Sequence, residues 1–133
     1  MTTGGTVREA VLRHVELWNS QRRDEWLTLF ADDVTFDDPV GVPTKHGRIA
    51  AEKSWDNSFT PGRRWTLHPQ RITVCGDEAA VVMHNIGDLD GRKVAVDGVE
   101  IWKVNSAGLV CAVRAFFEQP HDFELSPYFQ PTH

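Results

Sequence analysis

The chain is poor in the features that mark several large classes of protein. Cysteine occurs twice in 133 residues, at Cys75 and Cys111, with neither the density of a disulfide-stapled secreted domain nor the spacing of a metal site. Both are expected to be reduced, small, buried side chains, which fits a cytoplasmic protein. Lys and Arg number 14 against 19 Asp and Glu, a net charge of −5, and no stretch gathers basic residues into a stripe that could neutralise phosphates. Nucleic acid is therefore not an expected partner. No run approaches the roughly 18 apolar residues of a membrane span, and Met1–Thr6 lacks the basic and apolar regions of a secretion signal. A membrane role is not expected either. Gly-x-Gly-x-x-Gly, P-loop and Gly-x-Ser-x-Gly motifs are missing, and His46, His68, His84 and His121 have no ligand spacing such as His-Glu-x-x-His. No metal and no cofactor is expected.

What the chain does have is apolar mass: 41% hydrophobic residues, with five Trp and seven Phe, enough to fill the core of one domain of this length. Residues 1–133 are read as a single domain with a flexible N-terminus over 1–5. Pro120, Pro127 and Pro131 punctuate an extended C-terminal tail over 119–133.

Val7, Val11, Val15 and Trp18 recur at helical spacing, which predicts an amphipathic helix from Val7 to Asn19 with Thr6 and Glu9 as a capping box. A second helix is expected from Asp24, as its cap, to Phe30. Val34, Phe36 and Asp38 alternate with polar residues before Pro39, which reads as a short strand, and Arg48 to Phe59 suits a third helix. Four strands follow, Trp65–Cys75, Glu78–Asp88, Arg92–Val104 and Leu109–Glu118, joined by turns too short for anything but antiparallel pairing. The expected fold is α+β: three N-terminal helices, interrupted by one short strand, packed on a curved, mostly antiparallel sheet that encloses a cavity.

Three ionisable residues fall where apolar ones belong. His14 lies on the buried stripe of the first helix, three residues after Val11 and four before Trp18; one hydrogen bond would also satisfy it as an ordinary core histidine. Asp38 shares a strand face with Val34 and Phe36, where desolvation raises a carboxyl pKa and suits a general base; an Asp before Pro is also a common way to start a turn. Glu100 shares its face with Val94, Val96, Gly98, Trp102 and Val104, so it must be neutral, paired or facing a wet cavity. Asp97, of opposite parity, is assigned to the surface or to a dimer face. Convergence of three such groups from three elements on one cavity points to a site. Trp102, Phe117, Trp55, Phe59 and His84 are the candidate substrate contacts. Aromatic walls suit a flat, polycyclic, apolar ligand.

Around these residues the chain resembles the ketosteroid isomerases and the wider group of cone-shaped proteins that includes SnoaL-like polyketide cyclases and nuclear transport factor 2. The stretches that carry the resemblance are Phe36-Asp37-Asp38-Pro39-Val40-Gly41 with His46-Gly47-Arg48, then Arg13-His14-Val15-Glu16-Leu17, Ala31-Asp32-Asp33, Asp97-Gly98-Val99-Glu100 and Arg114-Ala115-Phe116-Phe117-Glu118. The resemblance implies the cone fold, a cofactor-free steroid delta-isomerase activity with Asp38 as proton-shuttling base, and a homodimer formed through the sheet. It also implies His14 and Glu100 as the two oxyanion donors. His14 stands where the isomerase pattern has tyrosine, and Glu100 where it has a protonated aspartic acid. The alternatives are a SnoaL-like cyclase or hydrolase acting on a polyketide or epoxide, and a non-catalytic protein that binds a small hydrophobic ligand.

Overall fold

The computed structural model describes residues 3–120 and 123–125. Helix α1 spans Thr3–Asn19, α2 Arg23–Leu27 and α3 Arg48–Ser58; the strands are β1 Phe30–Asp37, β2 Lys45–His46, β3 Arg63–Cys75, β4 Glu78–Leu89, β5 Arg92–Val104 and β6 Val110–Phe117. They form one α+β unit, a six-stranded sheet in the order β2-β1-β6-β5-β4-β3. The β3 to β6 meander is antiparallel throughout, as the short turns require. β1 runs parallel to β6 and antiparallel to β2.

Several boundaries differ from the sequence reading. The three helices precede the β3 to β6 meander as expected, but two strands, β1 and the two-residue β2, interrupt them where one was expected. α1 begins at Thr3, so Thr6 and Glu9 lie inside the helix and do not cap it; residues 1–2 of the expected arm lie outside the described residues. α2 is only five residues long, starts at Arg23 with no side-chain cap, and ends before Phe30. Phe30 instead opens β1, where pairing with Val110 outweighs its place in a helical pattern. Asp24 and Glu25 occupy the first turn of α2, where negative charge complements the helix dipole. Cys75 is exposed at the end of β3 and Cys111 is half-buried, both as free thiols.

The core lies between the helices and one sheet face, where Leu17, Trp26, Phe30, Leu89 and Leu125 are each less than 2% exposed or at 2%. Each such side chain contributes about 2 kcal/mol by leaving water. Leu125 brings the described part of the C-terminal segment onto this core, and its backbone N–H donates to Gln119 Oε1 at 3.1 Å. Burial alternates along β5 as predicted: Val94, Val96, Trp102 and Val104 face inward, while Lys93, Ala95, Asp97 and Val99 face outward.

α1 is fastened to β3 by polar side chains. Trp18 Nε1 donates to the Trp65 carbonyl at 2.9 Å, and the Asn19 carboxamide both donates to the Leu67 carbonyl and accepts from its N–H, each at 2.9 Å. Asn19 thus completes two backbone groups that would otherwise be left unpaired beside the helix. α2 and α3 are tied by Arg23, whose guanidinium reaches both carboxylate oxygens of Asp56 at 2.9 and 3.1 Å.

Gly98 marks the closest approach within the sheet. A Cβ there would lie 2.5 Å from the Phe116 carbonyl oxygen and 3.1 Å from Phe117 Cβ, so β5 and β6 would have to separate beside the strand segment that carries Glu100. Gly98→Ala is expected to cost about 1–3 kcal/mol, measured as a lower urea midpoint with an unchanged slope.

Candidate active site

A cavity of about 350 Å³ lies between the helices and the inward sheet face, and His14, Asp38 and Glu100 all line it. Each arrives by a different route. His14 is carried on the buried stripe of α1 at 6% exposure. Asp38 follows β1 directly, and the turn after it is held against β6 by the Val40 N–H, which donates to the Ala115 carbonyl at 2.9 Å. The Asp38–Pro39 peptide is cis. Glu100 projects from the inward face of β5, beside Trp102.

The protonation of these groups follows from their surroundings. Trp26 Nε1 donates to His14 Nδ1 at 2.9 Å. An indole nitrogen only donates, so Nδ1 must be the acceptor and the ring proton sits on Nε2. Burial pushes the imidazole pKa down to about 3, which keeps it neutral. The Trp102 ring packs against it with centroids 4.2 Å apart. Burial raises Glu100, hydrogen bonds from Trp102 and Asn85 pull it down and the nearby Asp38 charge adds to the rise, which together leave it at about 7. The Trp102 indole donates to Glu100 Oε1 at 2.8 Å. Asp38 is raised by burial and drawn back by the positive charge of Lys45.

Trp102 and Phe117 line the cavity, whereas Trp55, Phe59 and His84 do not. On α3 the rows 49/53/57 and 50/54/58 face the cavity, and Trp55 and Phe59 turn away into the core. There they pack on the Trp18 ring, each with centroids 5.0 Å away. They support the wall from behind. His84 fails on parity: the inward face of β4 carries Val81 and Met83, and His84 points outward to meet Asp97 at 2.6 Å. Phe116 likewise belongs to the outer face, at 41% exposure.

The sequence reading passed over Asn85, Trp26, Lys45, His46 and Lys53, all of which line the cavity. Asn85 was legible by the parity that located Glu100, since it continues the inward series Ala79, Val81, Met83. Its Oδ1 is buried and has no hydrogen-bond partner among the described residues. Trp26 could not have been found, because its contact with His14 depends on how α2 docks beside α1. Among the described residues no three His, Cys, Asp or Glu side chains gather to hold a metal ion, and no helix is long and apolar enough to cross a membrane.

The sequence profile of the SnoaL-like domain matches residues 11–113, most of the chain. This chain belongs to the SnoaL-like domain family. The steroid Delta-isomerase of Nocardioides simplex is 23% identical to it over 121 residues, 91% of this chain and 96% of that protein. Among solved structures, RV0760c of Mycobacterium tuberculosis in complex with estradiol-17beta-hemisuccinate aligns with a TM-score of 0.73 and 23% identity, covering 89% of this chain and 95% of that one. SalBIII, an epoxide hydrolase/cyclase-like enzyme in pyran ring formation of the polyether salinomycin, aligns with a TM-score of 0.76 and 22% identity over 84% of this chain and 90% of its own. Both solved structures share the α+β fold of this chain.

Glu100 ties stability to pH. Its carboxyl titrates at 4.5 when unfolded and at about 7 when folded, so between those values the folded state holds a proton that the unfolded state has released. Stability from this group is complete below 4.5 and is lost as pH rises through about 7, a loss of about 3 kcal/mol. Glu100→Gln removes this dependence. Urea titrations from pH 4 to 8 are expected to show the variant gaining on the native chain with rising pH.

Proposed function

We propose that the protein is a cofactor-free isomerase that moves a proton next to a carbonyl in an apolar, steroid-like substrate. The observation that carries this reading is a pair of carboxyls in one cavity, both raised by burial, whose charged neighbours differ: Lys45 draws Asp38 back toward its ionised form, and the Asp38 charge adds to the rise of Glu100. One is thereby prepared as a base and the other as a donor. Asp38 takes a proton from the carbon between the carbonyl and an isolated double bond, and the electron pair moves onto the carbonyl oxygen. His14 Nε2–H and the Glu100 hydroxyl hold the resulting enolate oxygen. With Trp102 donating to Oε1, the Glu100 proton occupies the other oxygen. Asp38 then returns the proton to the far end of the enolate, the double bond moves into conjugation, and no atom is gained or lost. Trp102 and Phe117 form part of the wall along the substrate.

The fold shared with RV0760c, solved with a steroid hemisuccinate, and the kinship with a steroid Delta-isomerase support a steroid-like substrate. A second reading, ring closure or epoxide opening on a polyketide-like substrate, draws on the same pair of carboxyls, one activating an oxygen nucleophile and the other protonating the leaving oxygen. The likeness to SalBIII favours it. The two free thiols support a cytoplasmic location.

Asp38→Asn is expected to lower kcat for conversion of an unconjugated 3-oxo-steroid to its conjugated isomer by about 10²–10⁴-fold, followed by enone absorbance. In the native chain kcat rises as Asp38 ionises and falls as Glu100 loses its proton near 7. An unaffected Asp38→Asn variant overturns the isomerase reading. Epoxide turnover without isomerisation transfers the site to the second reading, and tight steroid binding without turnover at any pH makes it a binding pocket.

The reading includes a homodimer formed through the outer sheet face. Val82, Val99 and Phe116 lie side by side across β4, β5 and β6 and are 39–41% exposed, an apolar row suited to a second copy of itself. Val99→Glu is expected to convert a dimer to a monomer in sedimentation velocity; a native chain that sediments as a monomer removes this part.

A further inference from the structure

The cavity is acidic within and basic at its rim. Lys45 and His46 come from β2 and Lys53 from α3, and all three line the cavity together with Ile49, which is 58% exposed and marks the open end. The carboxylates nearest in the chain are already engaged. Arg23 holds Glu52 and Asp56 at 3.8 and 2.9 Å, Arg48 faces Asp32 at 3.9 Å, and Asp37 accepts from Thr44 at 2.5 Å and meets Arg114 at 3.5 Å. The side chains of His46 and Lys53 have no ion pair or hydrogen bond with a described residue. In a chain of net charge −5, two lysine ammonium groups and an imidazole thus gather at the exposed edge of the cavity.

From this arrangement we infer that the natural ligand is amphipathic, with an anionic group, carboxylate or phosphate, that remains at the rim against Lys53, His46 and Lys45 while its apolar carbonyl-bearing body fills the cavity. The orientation is fixed by charge. A permanently charged group is disfavoured inward, where the walls are largely apolar and the Asp38 carboxylate raises the electrostatic cost of further negative charge, and the apolar body has no reason to stay outside. The lysine stem suits the position, since its methylenes lie along an apolar ligand while the ammonium stays in water. This inference rests on the reading of the cavity as a site for an apolar carbonyl compound and adds the chemistry of the ligand's outer end.

Isothermal titration calorimetry with testosterone 17-hemisuccinate, its uncharged methyl ester and testosterone 17-phosphate tests it. At low ionic strength the hemisuccinate is expected to bind about five- to tenfold tighter than the ester, and added salt should close the gap. Lys53→Gln should shrink the ratio of the two affinities. A phosphate ester that exceeds the hemisuccinate assigns the rim to phosphate, and the reverse order assigns it to carboxylate. Equal affinities of the charged and uncharged ligands at low salt overturn this inference alone. Failure of all three to bind overturns the cavity reading and this inference with it.

Discussion

The hydrogen bond from Trp26 Nε1 to His14 Nδ1 is the interaction on which the cavity depends. It satisfies a histidine that sits in the middle of the apolar stripe of α1, and it does so from a neighbouring helix only five residues long. A helix of that length has little stability of its own. α2 is held by what its side chains reach: Trp26 in the core, and Arg23 on Asp56 of α3. One contact therefore joins packing of the first two helices to the tautomer of a buried imidazole. With Nδ1 occupied and the pKa driven down, His14 is left with a single proton, on Nε2.

Around this contact the aromatic rings form a continuous wall. Trp18 packs on Trp26, Trp55 and Phe59, and Trp26 packs on Phe30. Their role is partly structural and partly electrostatic, because an apolar wall is what deprives Asp38 and Glu100 of water. Neither carboxyl would have a raised pKa on an exposed strand. The cavity thus turns a packing decision, large aromatics on α1, α2 and α3, into a chemical one. The inward row of β5 contributes in the same way, since Trp102 both stacks on His14 and donates to Glu100.

The two faces of the sheet divide the acidic excess of the chain. On the outer face Asp97 pairs with His84 in the open, and most of the other carboxylates are solvated or bound by arginine. On the inner face Asp38 and Glu100 influence each other. A one-residue change of register in β5 would exchange these roles, and the tight passage at Gly98 lies in the segment of strand that carries them.

Periodicity in the sequence determined much of this protein. Spacing of three and four placed His14 on a buried helix face, and alternation by two placed Glu100 inward and Asp97 outward, because both rules are local consequences of backbone geometry. Short turns likewise required the antiparallel meander from β3 to β6. Alternation applied to β4 would also have found Asn85 and excluded His84. Only the tertiary structure decided the rest. The parallel pairing of β1 with β6 and the departure of Phe30 from its helix join residues far apart in the chain, and the partner of His14 and the gathering of Lys45, His46 and Lys53 at one rim depend on how separate elements dock. No local pattern encodes such contacts; they follow from which faces the whole chain buries at once.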